Sequence, residues 1–159
     1  MAFLFVYGTL RKGAVNYHLL CNSSYGRNEF IGVATTEEEY NMCISSPFNI
    51  PFLFKTSAPN VKASQIVGDI FKVGQNFLKV LDEWENVPLV YKRKEIFVNF
   101  QRRRMKCFTY FLEDHNPQLE KLPMISDYVE YYKSKDALKF IPPPPNYDNN
   151  EIVRCVRQN

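Results

Sequence analysis

Runs of apolar residues along the chain predict a protein built largely from short strands. The first run, AFLFVY, is continuous and stops at Gly8, which is typical of a buried strand that ends in a turn. The whole pattern predicts strands over residues 2–8, 30–44 (one strand or two), 65–73, 91–100 and 105–113. The last two flank the polar sequence QRRR, which indicates a hairpin. Residues 45–55 contain two prolines and predict a loop or an edge strand.

The clearest helix lies in the sequence GQNFLKVLDEWENV, residues 74–87. Asn76 is the expected N-cap, and Pro88 is expected to end the helix. One face carries apolar side chains at helical spacing, namely Phe77, Val80, Leu81 and Trp84. Further helices are predicted over residues 14–20 and 126–141, the first with His18 on its apolar side.

Strand and helix signals are mixed without a regular alternation of one strand and one helix. This organisation favours an α+β fold over a doubly wound parallel sheet. A chain of 159 residues is long enough for one domain with a substantial core. We expect that domain to span residues 1–141, followed by a Pro-rich C-terminal tail over residues 142–159 that is extended or loosely attached.

The charge of the chain narrows the classes of partner. A formal charge of +3 is weak, so it predicts neither nucleic acid nor an anionic membrane as a partner. The basic residues that do cluster lie in the predicted hairpin and are typical of a solvated turn; they are Arg102, Arg103, Arg104 and Lys106. No obligate protein partner is evident.

Cysteine and histidine usage indicates neither a metal site nor disulfides. The four cysteines are scattered without a C-x-x-C pair, and the chain has only two histidines. Free thiols are typical of a reducing compartment. No apolar stretch approaches the roughly 20 residues of a membrane span, and residues 1–7 are too short for the core of a signal peptide. We therefore expect a soluble, cytoplasmic protein without a metal.

The glycine turn after the first strand raises the question of what it binds. Gly8 and Gly13 have the G-x-x-x-x-G spacing of a phosphate loop. Such a loop requires Lys and then Ser or Thr after the second glycine, whereas this chain has Ala14 and Val15. A turn with exposed backbone N–H groups suits a small anion such as a carboxylate.

Acidic residues at the end of the predicted helix 74–87 are the candidates for proton transfer. Asp82 and Glu83 continue round to the polar side, and Glu85 follows Trp84 at the helix end. All three could be solvated surface acids, as most helical acids are. Alternatively, Glu85 could face a cleft as a general base with a raised pKa. Spacing alone does not decide between these alternatives.

Several segments together resemble one known family. They are FVYGTLRKGAVNYHLL, NIPFL, GDIFKV, FLKVLDEWENVPLVYKR and KCFTY, in that order. The most specific pair is Y-G-T-L after an N-terminal strand with L-D-x-[FW]-E before P-x-x-Y-x-R. On these segments, which extend from residue 1 to about residue 128, the chain resembles the γ-glutamylcyclotransferase-like family, and within it the γ-glutamylamine cyclotransferase branch.

The resemblance implies a mixed β-barrel flanked by helices, with a cavity at its mouth. It implies that Glu85 is the acid–base residue, because this residue ends the L-D-x-x-E motif. It also implies that Tyr7, Gly8, Thr9 and Leu10 form the loop that binds the γ-glutamyl group. No cofactor or metal is implied, and the expected partner is a small γ-glutamyl substrate.

The reaction implied by the resemblance is an intramolecular cyclisation. The α-amine of the substrate attacks its own γ-carbonyl, which yields 5-oxoproline and a free amine. In this branch the substrate is γ-glutamyl-ε-lysine, and a related branch acts on γ-glutamyl amino acids. A non-catalytic binding module on the same fold is a further alternative.

Other residues are left with two interpretations each. Tyr91 and Tyr110 could line the cavity or cover the core as strand aromatics. The NIPFL segment could sort leaving groups or form an edge loop packed on the core. His18 and Cys21 could form a catalytic pair, although His18 fits a core or interface position better.

Overall fold

The computed structural model describes residues 1–158, apart from the side chain of Ser23. Six strands form its framework: β1 (Ala2–Val6), β2 (Asn28–Ser45), β3 (Ile50–Phe54), β4 (Ser64–Val73), β5 (Lys92–Phe100) and β6 (Arg103–Phe111). Each segment predicted to be a strand contains one, and the proline-flanked segment supplies β3. The continuous apolar run at the N-terminus is buried as β1, which explains why it contains almost no polar residue.

Five of these strands close into a barrel. β1 lies between β4, to which it is antiparallel, and β6, to which it is parallel. β5 pairs with β6, and β2 pairs with β4. The pairing of β2 with β5 at Thr35–Asn99 and Thr36–Val98 closes the ring. Strand β3 extends β2 at the edge. The α+β class and the mixed β-barrel are therefore confirmed.

Four α-helices flank the barrel: α1 (Tyr17–Leu20), α2 (Gln75–Trp84), α3 (Tyr128–Tyr132) and α4 (Asn149–Val156). The predicted helices over 14–20 and 126–141 are longer than α1 and α3. His18 is exposed, so its predicted place on an apolar face is wrong. Across residues 1–158, we find no helix with the length and apolar character needed to cross a membrane.

Helix α2 begins and ends earlier than its sequence predicted. Gly74 rather than Asn76 occupies the N-cap, and the last helical residue is Trp84. The helix ends before Pro88 because Asn86 adopts a left-handed φ of 51°, a conformation that Asn tolerates better than most residues. Glu85 is left as the C-cap, just outside the regular helix.

Alternate residues of β1 pack into two cores, as the period of a strand requires. Leu4 and Val6 belong to the core that contains Phe77 and Leu81 of α2. Phe5 and Tyr7 belong to a second core. Helix α2 and β1 thus share one core, and residues at the end of each line the same cleft.

The C-terminal segment is packed on the protein, so the prediction of an extended or loosely attached tail is wrong for its last part. Helix α4 begins after Asp148, whose side chain accepts a hydrogen bond from the backbone N–H of Asn150 at 2.9 Å. Ile152 and Val156 are buried in the same core as α2. Their i, i+4 spacing gives α4 one apolar stripe, which packs on the core.

Candidate active site

A cleft at the end of β1 brings together the residues that the sequence singled out. Tyr7, Gly8, Thr9 and Leu10 line one side of it, and Glu85 lines the other. The space between the lining atoms is about 390 Å³, including the open mouth. Residues from β1, its following loop and the end of α2 therefore meet at one site, although 75 or more positions separate them in the chain.

The position of Glu85 differs from that of the neighbouring acids. Its side chain is half-buried and lines the cleft, whereas Glu83 is exposed. Burial raises the pKa of Glu85 from its ordinary value of 4.5 to about 7. A carboxyl group with this pKa exchanges protons readily near neutral pH, which suits a general acid or base. The interpretation of Glu85 as a solvated surface acid is thus at odds with its place in the cleft.

Asp82 is also held within the protein rather than solvated. Its Oδ2 accepts from Nη1 of Arg93 at 2.9 Å, and its Oδ1 accepts from the hydroxyl of Tyr110 at 2.8 Å. Asp82 therefore fixes a cleft-lining tyrosine to the last turn of α2. The sequence did not reveal this link, because it depends on the placement of β5 and β6 beside the helix.

The loop after β1 needs glycine because of its contact with β3. An ideal Cβ at Gly8 would lie 2.6 Å from Cγ of Pro51, closer than side chains pack. The nearest obstacle to a side chain at this position is therefore the proline ring of β3. The backbone N–H of Arg11 donates to the carbonyl of Gly8 at 3.1 Å and closes the turn.

The backbone of this loop offers hydrogen-bond donors to a ligand. Within residues 1–158, we find no acceptor for the N–H groups of Thr9 and Leu10. The carbonyl of Thr9 accepts from the N–H of Asn16 at 2.8 Å, which holds the loop in place. Unpaired N–H groups in a loop whose residues line a cleft suit an anion such as a carboxylate.

A buried charge network braces the loop from behind. Arg11 is only 5% exposed, and its Nη1 donates to Oδ1 of Asp127 at 2.7 Å. Its Nε lies 3.4 Å from Oδ1 of Asp69, which is almost fully buried. The N–H of Lys12 donates to the other oxygen of Asp69 at 2.6 Å. Sequence reasoning missed Arg11, and a charged residue between the two glycines was the available signal.

The tyrosines that line the cleft donate their hydroxyl hydrogens to protein acceptors. Tyr7 donates to the carbonyl of Tyr110 at 2.6 Å, and Tyr91 donates to the carbonyl of Pro51 at 3.0 Å. Burial raises the pKa of both Tyr7 and Tyr91, and the nearby Glu85 carboxylate raises both further. These hydroxyls are therefore neutral, and their oxygens remain able to accept a hydrogen bond from a ligand. Tyr91 also stacks on Phe52, so it serves the core and the cleft together.

Other candidate chemistry lies away from the cleft. His18 and Cys21 are both exposed and do not line it. In residues 1–158 there is no group of three His, Cys, Asp or Glu side chains placed to hold a metal. The arrangement in the cleft is one carboxyl group with a pKa near 7, backbone donors and fixed tyrosines. It can move protons for a substrate that supplies its own nucleophile.

Comparison with known proteins identifies relatives of this chain by sequence and by structure. The chain is 32% identical to gamma-glutamylaminecyclotransferase of Bos taurus over 144 residues, which covers 89% of this chain and 83% of that protein. It is 36% identical to gamma-glutamylaminecyclotransferase A of Danio rerio over 128 residues, covering 79% and 78% of the two chains. The crystal structure of an AIG2-like protein from Mus musculus superposes with a TM-score of 0.80 at 28% identity, covering 92% of this chain and 99% of that one.

The sequence also matches a model of a whole protein family. The sequence model of the family described as "Gamma-glutamyl cyclotransferase, AIG2-like" matches residues 4–130. That range includes the loop after β1, Glu85 and the barrel apart from Ala2 and Phe3 at the start of β1. The chain belongs to the gamma-glutamyl cyclotransferase, AIG2-like family.

Proposed function

We propose that the protein is a γ-glutamylamine cyclotransferase in which Glu85 is the general acid and base. The observation that carries the proposal is the position of Glu85 in the cleft formed by Tyr7, Gly8, Thr9 and Leu10. Relatives from Bos taurus and Danio rerio carry the name gamma-glutamylaminecyclotransferase, which supports an amine as the leaving group. The preferred substrate in this proposal is γ-glutamyl-ε-lysine.

The loop after β1 binds the glutamyl end of the substrate. Its α-carboxylate accepts hydrogen bonds from the N–H groups of Thr9 and Leu10, which have no acceptor within residues 1–158. The α-amino group then faces Glu85 across the cleft. Holding both ends of the glutamyl chain curls it, so that the amine lies close to the γ-carbonyl carbon.

Proton transfer through Glu85 then completes the reaction. The α-amine gives up a proton to the Glu85 carboxylate as its nitrogen forms a bond to the γ-carbonyl carbon. The bond between that carbon and the leaving nitrogen breaks as Glu85 returns the proton to this nitrogen. The products are 5-oxoproline and the free amine, so every atom of the substrate is accounted for. A pKa of about 7 allows Glu85 both to accept a proton from the α-amine and to return it to the leaving nitrogen.

The proposal includes a location in the cytoplasm. Cys21, Cys43, Cys107 and Cys155 form no disulfide in the structure. Free thiols of this number persist best in a reducing compartment.

Incubation with γ-glutamyl-ε-lysine tests the activity. We expect equimolar 5-oxoproline and lysine from the parent protein, and a loss of about 10²–10⁴-fold in kcat/KM for Glu85→Gln. Glu83→Gln is the matched control, because Glu83 is exposed two residues away, and it should retain full activity.

Three outcomes would contradict the proposal in whole or in part. The absence of product from every γ-glutamyl compound would refute the activity. Release of 5-oxoproline only from γ-glutamyl amino acids would assign the protein to the related substrate class. Full activity in Glu85→Gln would refute the role of that residue while leaving the activity standing.

A further inference from the structure

A short loop, residues 85–91, connects the end of α2 to β5 and carries two residues of the cleft. Glu85 stands at its start and Tyr91 at its end, and both line the cleft. Within the loop, the N–H of Val90 donates to the carbonyl of Asn86 at 2.8 Å. The direction in which the Glu85 carboxyl group points therefore depends on how this loop is held.

Helix α4 contacts the loop near its start. Nδ2 of Asn149, the first residue of α4, donates to Oδ1 of Asn86 at 3.0 Å. Asn86 directly follows Glu85, and its left-handed φ of 51° turns the chain away from the helix axis of α2. This hydrogen bond therefore ties the turn beside the carboxyl-bearing residue to α4.

The other end of α4 contacts the same loop a second time. Nη1 of Arg157, the C-cap of α4, donates to the carbonyl of Leu89 at 3.1 Å and to the carbonyl of Pro88 at 3.5 Å. Nη2 of Arg157 lies 3.6 Å from Oδ2 of Asp114. One guanidinium thus holds two consecutive carbonyls just before Tyr91.

Helix α4 is anchored to the protein independently of this loop. Ile152 and Val156 are buried in the core that α4 shares with α2. The N–H of Asn116 donates to the carbonyl of Val156 at 2.7 Å, and the N–H of Gln158 donates to the carbonyl of Asp114 at 2.6 Å. Because the segment after β6 fixes the end of α4, the polar side chains of the helix can hold the loop rather than follow it.

Both loop contacts come from a part of the chain that the family match does not describe. That match ends at residue 130, before Asn149 and Arg157. Neither side chain lines the cleft in which Glu85 lies. Any effect of these two side chains on proton transfer must therefore pass through the loop.

We propose that α4 positions Glu85 for proton transfer, with Asn149 and Arg157 as positioning residues that hold the loop 85–91. The inference rests on the proposed cyclotransferase function. In this arrangement residues 1–141 form the catalytic domain, and the segment from 142 onwards fixes the geometry of its acid–base residue. A displacement of about 1 Å at a catalytic group can cost about 10²-fold in rate, so hydrogen bonds remote from the substrate can control kcat.

Steady-state kinetics of Arg157→Met and Asn149→Ala with γ-glutamyl-ε-lysine test the proposal. Each variant should lower kcat about three- to tenfold, and the double variant about ten- to a hundredfold. KM should stay within about twofold of the parent value, because the loop after β1 binds the glutamyl end of the substrate. Asn149 lines the space beyond the cleft whereas Arg157 does not, so Arg157→Met is the decisive variant.

Two exposed residues of the same helix supply matched controls. Arg154→Met removes the same charge as Arg157→Met, and Asn150→Ala removes the same amide as Asn149→Ala. Within residues 1–158, neither control side chain forms a hydrogen bond with the loop 85–91, so both controls should keep the parent kcat. Circular dichroism at the assay temperature checks that every variant is folded. A parent-like kcat in the double variant, or a raised KM with an unchanged kcat, would overturn the proposal.

A carbon-13 NMR titration of the Glu85 carboxyl group separates this inference from the function on which it rests. Its signal is assigned by its absence in Glu85→Gln. Burial raises the pKa of Glu85 from 4.5 to about 7, and a loop released from α4 should admit water and lower this pKa toward its ordinary value. The other ionisable side chains that line the cleft are tyrosines whose pKa values burial raises, so they stay neutral during the titration; they are Tyr7, Tyr91 and Tyr110.

The titration gives an answer whether or not 5-oxoproline is produced. A lower pKa of Glu85 in the double variant, with the parent value in Arg154→Met, supports the positioning role even if no γ-glutamyl compound is turned over. The parent value in the double variant would overturn the role of α4 and leave the proposed function standing.

Discussion

Gly8 and Pro51 are in such close contact that a methyl group on Gly8 would lie 2.6 Å from Cγ of the proline ring. Pro51 belongs to β3, and its carbonyl accepts the hydroxyl hydrogen of Tyr91 at 3.0 Å. The edge strand therefore fixes both the loop after β1 and one tyrosine of the cleft. Part of the NIPFL segment thus lines the site while packing on the core.

Gly8→Ala should displace the loop and weaken catalysis. We expect a loss of about 1–3 kcal/mol in the free energy of unfolding, as for other overpacked sites, and a fall of at least about tenfold in kcat/KM. Urea denaturation and 5-oxoproline release measure the two effects. Gly74→Ala is the control, because its nearest neighbour would be 3.8 Å from the new Cβ. Parent-like activity in Gly8→Ala would contradict the role of this contact.

The pH dependence of catalysis should follow Glu85. In the proposed mechanism its carboxylate accepts the first proton, and burial raises its pKa to about 7. We therefore expect kcat/KM to rise with pH up to about pH 7 and to level off above it, since this profile reports groups of the free enzyme. Measurement from about pH 5 to about pH 9 checks this expectation. A constant kcat/KM across that range would show that a different group controls the reaction.

Glu85→Gln should make the protein more stable at alkaline pH while it removes activity. The folded state raises the pKa of Glu85 from 4.5 to about 7, so the ionised carboxyl group opposes folding. The parent loses stability as the pH rises through this interval, whereas the Gln variant does not. After allowance for partial exposure, the variant should gain about 1–3 kcal/mol at pH 8.

The same variant supplies its own control at low pH. Near pH 4 the carboxyl group is protonated in the folded state and largely so in the unfolded state. The difference between parent and Glu85→Gln should therefore nearly vanish there in urea denaturation. An equal difference at pH 4 and pH 8 would mean that packing, rather than charge, causes the effect.

Arg11→Met should destabilise the protein and loosen the loop. The substitution keeps much of the side-chain volume but leaves Asp69 buried without its guanidinium partner. Breaking such a pair costs about 3–5 kcal/mol, and we expect KM to rise because the loop loses its brace. Lys12→Gln is the matched control, since Lys12 contacts Asp69 only through its backbone N–H. An unchanged free energy of unfolding in Arg11→Met would show that the charge network contributes no net stabilisation.

Local patterns allowed most of the barrel to be predicted. The apolar run of β1 and the helical spacing of Phe77 and Leu81 specify buried faces, and these faces are buried in the structure. The end of α2 was misplaced because Pro88 is the more obvious stop signal. The backbone leaves the helix earlier, where Asn86 takes a left-handed conformation.

Helix α4 was missed because the proline run before it indicates an extended chain. Asp148 and Glu151, at capping-box spacing before an apolar pair, were the available signal. Contacts between distant segments could not be predicted in this way. The Arg11–Asp127 pair joins residues 116 positions apart, and only the closed barrel brings them together.

The placement of Glu85 at the C-cap of α2 gives the cleft a built-in polarity. The C-terminal end of a helix carries partial negative charge, and the cleft is also lined by Thr9 and Leu10, whose N–H groups have no acceptor within residues 1–158. In the proposed function, this polarity turns the zwitterionic end of the substrate so that its ammonium faces the helix and its carboxylate faces the loop.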